Sequence, residues 1–231
     1  MNTTLFSRWL GNIRVSSILK TDLFDEAFGP GLYSQVAVQS ERFVGIDISG
    51  EVLRTAKACH GDLKAAAADV RFLPFRDGMF DVVLSNSSLD HFGTQDQIVM
   101  SLREIYRVLK HPGRLLLTLD NPVNPLIALR HALPYRLLHK TGVVPYFVGA
   151  SLGPWRLRKV LESIGFKVKQ VDAVLHCPRV IAVFLAHFVE KKAGPEGKKA
   201  FLRGLMSFEH LSRLPTRFLT GYFVAADARK R

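Results

Sequence analysis

Phe43-Val44-Gly45-Ile46-Asp47 (FVGID), followed by Ala68-Asp69 and then by FDVVLSNSSLDHF from Phe80 to Phe92, decides the fold. Two short apolar runs finish in an acid and a third finishes in polar residues. Read as buried strands, they are three sheet ends opening on one crevice. In an open α/β sheet that crevice is where ligands bind. A carboxylate one residue beyond an apolar strand accepts two hydrogen bonds from a ribose diol, and a second on the next strand accepts from an exocyclic amine. The pattern points to a nucleoside-bearing cofactor.

Outward from these runs, strands and helices alternate. Val15 to Leu19 reads as a first strand, Leu32 to Gln39 as a helix after the Gly29-Pro30-Gly31 break, and Phe43 to Ile48 as the second strand. Ser49 is placed to cap the next helix, whose inner face carries Val52, Leu53 and Ala56. Ala65 to Ala68 reads as a weak edge strand, Val70 to Gly78 as a loop turning at Asp77-Gly78, and Phe80 to Ser85 as a central strand. Ile98, Leu102, Ile105 and Leu109 share one face of a helix over Gln95 to Leu109, which the Lys110-His111-Pro112-Gly113 break ends before a strand at Arg114 to Leu119. This rhythm predicts a mostly parallel sheet.

After Asp120 the pattern changes. Residues 121–153 carry Pro122, Pro125, Pro134 and Pro145 among apolar and basic residues and read as an inserted, partly helical cover. A helix over Pro154 to Ile164 ends at Gly165, and a strand runs from Phe166 to Leu175. Residues 178–214 read as a second, largely helical insertion. Its stripe of Phe201, Leu202, Leu205, Phe208, Leu211 and Leu214, flanked by Lys198, Lys199, Arg203 and Arg213, is expected to pack as core or lid, with a membrane-facing surface as the alternative. Gly221 to Ala226 predicts a last short strand before a basic tail. The whole, 1–231, reads as one domain with two cover segments.

Charge divides the chain. Residues 1–120 hold 13 Lys/Arg against 14 Asp/Glu, and residues 121–231 hold 19 against 6, so the formal net charge of +12 belongs entirely to the second half. Such asymmetry suggests an anionic partner: a membrane surface, a phosphorylated substrate or RNA. Cys59 and Cys177 make neither a disulfide framework nor a metal site, which fits a reducing cytoplasm, with no metal expected. The longest apolar run, Val180 to Val189, is too short to span a bilayer, and no signal-peptide hydrophobic region is evident.

FVGIDIS at 43–49, AADVRFLPFRDGMFDVVLSNSSLDHF at 67–92, LREIYRVLKHPGRLLLTL at 102–119 and WRLRKVLESIGFKV at 155–168 together resemble class I S-adenosylmethionine-dependent methyltransferases of the small-molecule type. The resemblance implies a Rossmann-like, seven-stranded, mostly parallel sheet with helices on both faces and an antiparallel last strand. It implies that Asp47 binds the ribose hydroxyls with Ile48 against the adenine, and that Asp69 accepts from the adenine amine beside the Val70 backbone. Ser85, Asn86 and Leu89 would line the methionine side and the pocket mouth, and His91 would sit near the methyl.

One departure stands out. The family opens with a strand and a D-x-G-x-G-x-G loop, where this chain has Leu19 to Gly31 without glycine at the tight approach. Either Thr21 and Asp22 replace the usual contacts, with acid oxygens meeting the cofactor ammonium, or the site is impaired. Asp22, Asp25 and Glu26 read equally as a plain solvated acidic loop. Methyl transfer from a sulfonium needs alignment and a dry site, with a base only where the acceptor must lose a proton. His91 or Asp90 is placed for that role, His91 first because histidine titrates near neutral pH. The resulting expectation is methyl transfer from S-adenosyl-L-methionine to a small or lipid-like acceptor by a cytoplasmic protein with peripheral membrane contact. An RNA methyltransferase and a non-catalytic scaffold of the same fold are the alternatives.

Overall fold

The structure, a computed structural model, describes residues 5–6, 9–11, 14–29, 31–133, 149–177, 179–192 and 194–231. His139, Pro134 and Pro145 of the first cover segment lie outside them. Seven strands form one sheet: β1 (Val15–Lys20), β2 (Ser40–Asp47), β3 (Lys64–Ala67), β4 (Phe80–Asn86), β5 (Leu109–Asp120), β6 (Phe166–Val174) and β7 (Phe223–Lys230), in the order β3-β2-β1-β4-β5-β7-β6. All pairings from β3 to β5 are parallel, and β7 runs antiparallel to both β5 and β6.

Alternation along the central strands explains why both faces are covered. On one face Leu19, Val83, Leu115, Leu117 and Leu119 pack with Ile98, Leu102, Leu157 and Leu161. Those partners lie on helices α4 (Gln95–Val108) and α6 (Pro154–Ile164). On the other face Ile18, Val82, Leu84 and Leu116 meet Ala27, Val36, Leu53 and Ala56. These come from α1 (Phe24–Phe28), α2 (Tyr33–Val36) and α3 (Gly50–Cys59), the last capped by Ser49, which accepts from the Val52 amide at 3.3 Å. Gly165 ends α6 with a left-handed φ of 117°, where an added Cβ would stand 2.8 Å from the Tyr106 hydroxyl.

Two expectations about strand ends change. The break at Lys110 to Gly113 does not separate helix from strand: β5 starts at Leu109, directly after α4, and runs through those residues. The last strand extends to Lys230, so the basic tail belongs to it. Lys230 Nζ donates to the carbonyls of Tyr106 and Leu109 at 2.8 and 2.9 Å, satisfying groups at the C-terminal end of α4.

The expected packing of the second insertion also fails. Its helices α7 (Arg179–Lys192) and α8 (Pro195–Ser207) follow β6, but α8 has no buried residue, and Leu202, Phe208 and Leu214 of the stripe are exposed. Only Phe201, Leu205 and Leu211 are half-buried. Helical periodicity identified the face but not whether anything covers it.

β5 and β7 are joined by a buried fork as well as by their ladder. Arg114 Nε and Nη2 each donate to one oxygen of Asp227 at 2.9 Å, with both side chains nearly out of water. Removing one partner of such a pair strands the other charge. Asp227→Ala is expected to cost about 3 kcal/mol, a fall in melting temperature of roughly 6–12 °C for a chain of this size. The double variant Arg114→Met/Asp227→Leu is expected to regain most of it. Thermal unfolding of the three proteins by circular dichroism checks this; an Asp227→Ala melt within a degree of the parent, about the noise of the method, rules it out.

Candidate functional site

β1, β2, β4, β5 and β6 run in one direction, so Lys20, Asp47, Asn86, Asp120 and Val174 mark one edge of the sheet. Strand order reverses between β1 and β4, which opens the crevice there. Both cover segments leave from this edge: one follows Asp120, and residues 175–222 connect Val174 to Phe223, which is paired with both Asp120 and Val174.

Asp47 is the hinge of the cofactor-side loop. Its Oδ2 accepts from the Leu23 amide at 3.0 Å and its Oδ1 from the Ser49 amide at 2.8 Å. Gly45 makes this possible, because a Cβ there would lie 2.4 Å from Leu23 Cδ2. Each carboxylate oxygen keeps a second lone pair. Asp69 is engaged differently: Arg71 Nη2 donates to its Oδ2 at 2.6 Å and the Arg71 amide to its Oδ1 at 2.8 Å. These Arg71 bonds hold the Asp69 carboxyl below the usual range. The Arg71 guanidinium lies 4.9 Å over the Phe92 ring.

The acidic loop after β1 is built around a buried cation. Lys20 is fully buried, and its Nζ donates to the Asp22 carbonyl at 2.7 Å, to Asp22 Oδ1 at 3.1 Å and to Glu26 Oε2 at 2.8 Å. Burial alone would push its pKa down, but the charges of Asp22 and Glu26 outweigh this and hold it above the ordinary lysine value. Glu26, also fully buried, takes the Leu32 amide on its other oxygen, and Asp25 accepts from Asn86 Nδ2 at 2.9 Å. The solvated-loop expectation for these acids is therefore wrong: each of the three is bound. Asp22 Oδ2 alone is buried without a partner.

At the end of β4, Thr21 Oγ1 donates to Ser85 Oγ at 3.0 Å and meets Ser88 Oγ at 2.8 Å. Asn86 bridges Asp25 and Thr118. Leu89 packs in the main core instead of lining the crevice, and His91 is exposed. The buried group beside it is Asp90, whose Oδ2 accepts the Asp120 amide at 2.9 Å while its Oδ1 is buried and unpartnered. Burial, then the Asp120 charge, push its pKa up to about 7. Asp120 is itself paired with Arg130 on helix α5 (Pro125–Ala132), and Arg130 Nη1 reaches the Tyr222 hydroxyl at 2.9 Å. Gly149 passes so close over the turn that a Cβ would lie 2.4 Å from the Asp90 carbonyl oxygen. Among the described residues no three His, Cys, Asp or Glu side chains gather as a metal site.

Residues 24–117 match the model of a methyltransferase domain. The chain is 31% identical over 137 residues to arginine-hydroxylase NDUFAF5 of Danio rerio, covering 57% of this chain and 40% of that protein. It is 29% identical over 149 residues to malonyl-[acyl-carrier protein] O-methyltransferase of Erwinia billingiae, covering 54% and 58%. It thus spans about half the length of these curated relatives. Geranyl diphosphate C-methyltransferase of Streptomyces coelicolor, solved with Mg2+, geranyl-S-thiolodiphosphate and S-adenosyl-L-homocysteine, superposes with a TM-score of 0.64 at 11% identity, over all of this chain and 75% of that one.

The chain has the class I methyltransferase fold. Within this fold the residues expected from sequence divide into two groups. Thr21, Asp22, Asp47, Ser85 and Asn86 are drawn together around the β1–β4 crevice by the bonds just described. Ile48 is exposed directly after Asp47, and Val70 buries its side chain in the core. Asp69 stands behind its Arg71 partner in a bidentate fork that is a fifth to a quarter exposed. Lys20, Glu26, Asp120 and Arg130 were not anticipated. The only sequence signal for the first two was a lysine closing an apolar strand with acids two and six residues later.

Asp90 gives the fold a pH signature. Asp120, His91 and the Arg130 that pairs Asp120 are the charged groups around it. In an unfolded chain the carboxyl titrates near pH 4, about its ordinary value. Between there and about pH 7 the folded chain holds the extra proton, so stability falls as pH rises through that window. Asp90→Asn is expected to flatten this slope and to melt several degrees above the parent at pH 8. Melting curves from pH 5 to 8 test it; identical slopes in both proteins exclude a buried, protonated Asp90.

Proposed function

We propose that the chain is an S-adenosylmethionine-dependent methyltransferase acting on a small hydrophobic acceptor. The observation that carries this reading is Asp22 Oδ2, a buried acceptor without a partner on the β1 side of the crevice, with Asp47 at the neighbouring strand end. An unpaired buried carboxylate oxygen is costly, and an ammonium beside it removes the cost. Asp22 with Thr21 would hold the amino-acid end of the cofactor, Asp47 the ribose diol, and Asp69 the adenine amine after exchanging with Arg71. When bound, the cofactor supplies an electrophilic methyl on a sulfonium.

The protein's own part is alignment, exclusion of water and proton management. The segment 149–153 and the Asp120–Arg130 pair close the crevice over β4 and β5. Where the acceptor must lose a proton, Asp90 takes it in preference to the exposed His91, because a carboxyl titrating near neutrality suits a general base. An acyl-carrier-bound malonyl group and geranyl diphosphate are acceptors named for the two methyltransferases compared above, and both support a small-molecule or lipid-like acceptor. The zebrafish relative is named for a hydroxylation, so its likeness favours the fold and not the reaction.

Calorimetry with S-adenosylhomocysteine tests the reading. The intact chain is expected to bind it. Asp22→Asn should weaken binding by about tenfold, the loss of one charge-assisted hydrogen bond. Asp47→Ala should weaken it by about a hundredfold or more, with circular dichroism unchanged. Absence of binding in the intact chain sinks the proposal.

A further inference from the structure

We infer that the helical pair α7–α8 is a docking surface for an anionic phospholipid bilayer. The inference gives the hydrophobic acceptor of the proposed reaction a source, and it stands on surface chemistry independent of cofactor binding. On α8, Leu202 and Met206 are 58% and 64% exposed and one turn apart. Lys199 and Arg203, also exposed and one turn apart, lie on the same face. On α7, which packs against α8, Leu185 and Phe188 are exposed one turn apart, and Lys191 and Lys192 follow them at its end. Phe208 and Leu214 extend the exposed apolar surface beyond α8.

Water alone gives no reason for this surface. Several large apolar side chains exposed on one pair of helices mark an interaction site. The basic residues among them say with what: residues 179–217 hold eight Lys/Arg against three Asp/Glu. Lysine and arginine lay their aliphatic stems along apolar surface while the charged heads reach phosphate, the arrangement of helices lying in a bilayer interface. No helix among the described residues is long and apolar enough to cross a membrane, so the pair would lie on it. RNA is the rival polyanion: Phe188 and Phe208 can stack on bases, but Leu202 and Met206, the exposed apolar residues beside Lys199 and Arg203 on α8, neither stack on bases nor pair with phosphate.

Location adds the functional link. Residues 175–222 leave and rejoin the sheet at the edge that carries Asp47, Asn86 and Asp120. The segment is tied down there: His176 meets Thr220 Oγ1 at 2.7 Å and its amide donates to Glu209 Oε1, while Asn121 Nδ2 donates to the Phe218 and Gly221 carbonyls. A bilayer touching α7–α8 therefore contacts the cover that rises from the edge of the sheet on which the crevice opens.

Sedimentation of the full chain with vesicles of phosphatidylcholine, alone or mixed with phosphatidylglycerol, tests the inference. Binding to the mixed vesicles only, weakened by added salt, is expected. Leu202→Asp/Met206→Asp and Lys198→Glu/Lys199→Glu should each lower partitioning by about tenfold or more. Both should leave the circular dichroism and the S-adenosylhomocysteine affinity of the intact chain unchanged. No binding to mixed vesicles overturns the inference. So does binding indifferent to the two aspartates, or polyuridylate RNA binding that survives them and displaces the vesicles. Vesicle binding without S-adenosylhomocysteine binding sinks the methyl-transfer proposal and leaves the docking surface standing; the reverse result sinks the docking surface alone.

Discussion

A lysine ammonium with no access to water sits at the end of β1, and the loop that would otherwise be glycine-rich is shaped by the need to neutralise it. Lys20 has three donors and spends all three, on one carbonyl and two carboxylates. Either acid alone still pairs the ammonium, but losing both would strand a charge in the core, a far larger penalty than any surface pair can offset. The same acids then organise their surroundings. Glu26 turns the chain at Leu32, Asp25 fixes Asn86 on β4, and the intervening Leu23 seats over Gly45 and donates to Asp47. The missing glycines are therefore replaced by a cross-braced loop that reaches β1, β2 and β4 together. Rigidity comes from charge pairing where the family pattern relies on close backbone approach.

Because that loop spans the strand-order reversal, the crevice and its charge are set by the same residues. Asp22 satisfies the lysine with one oxygen and keeps the other buried and unpaired, which an isolated acid on a flexible loop would not do. It would turn to water. Only a loop pinned at both ends holds a carboxylate in that position. The unpaired oxygen is thus a consequence of the Lys20 cluster, and the proposed ammonium contact follows from it.

How legible this was in the sequence depends on what a residue type reveals about its surroundings. FVGID and FDVVLSN were readable because strands buried on both faces leave continuous apolar runs, and Asp47 was readable because it ends one. Ser49 announced its helix by capping chemistry. Lys20 was not readable, since a lysine beside three acids looks like solvated loop until the fold buries it. Asp90 was hard to read for the same reason: burial and the Asp120 charge raise its carboxyl only in the folded chain. Lys230 looked like tail because a basic residue at a strand end gives no hint that helix carbonyls await it. The stripe on α8 was seen as a helical face, but periodicity fixes only direction. Whether core, lid or solvent lies in that direction depends on a neighbouring surface the local sequence does not encode.

The uneven charge of the two halves has a spatial counterpart in the structure. The first half builds β1 to β5 and places Asp22, Asp25, Glu26 and Asp47 around one crevice, where Lys20 offsets only part of their negative charge. The second half supplies the pieces that rise from the same edge, and their exterior is basic and apolar. Were the signs mixed throughout, neither site would have a field of its own, since opposite charges within a Debye length largely cancel. Separation along the chain becomes separation across the sheet because α5 and α7–α8 both follow the β4–β5 side of the reversal. The acidic crevice and the basic cover thus share an edge without sharing residues, so each can be altered by substitution while the other is retained.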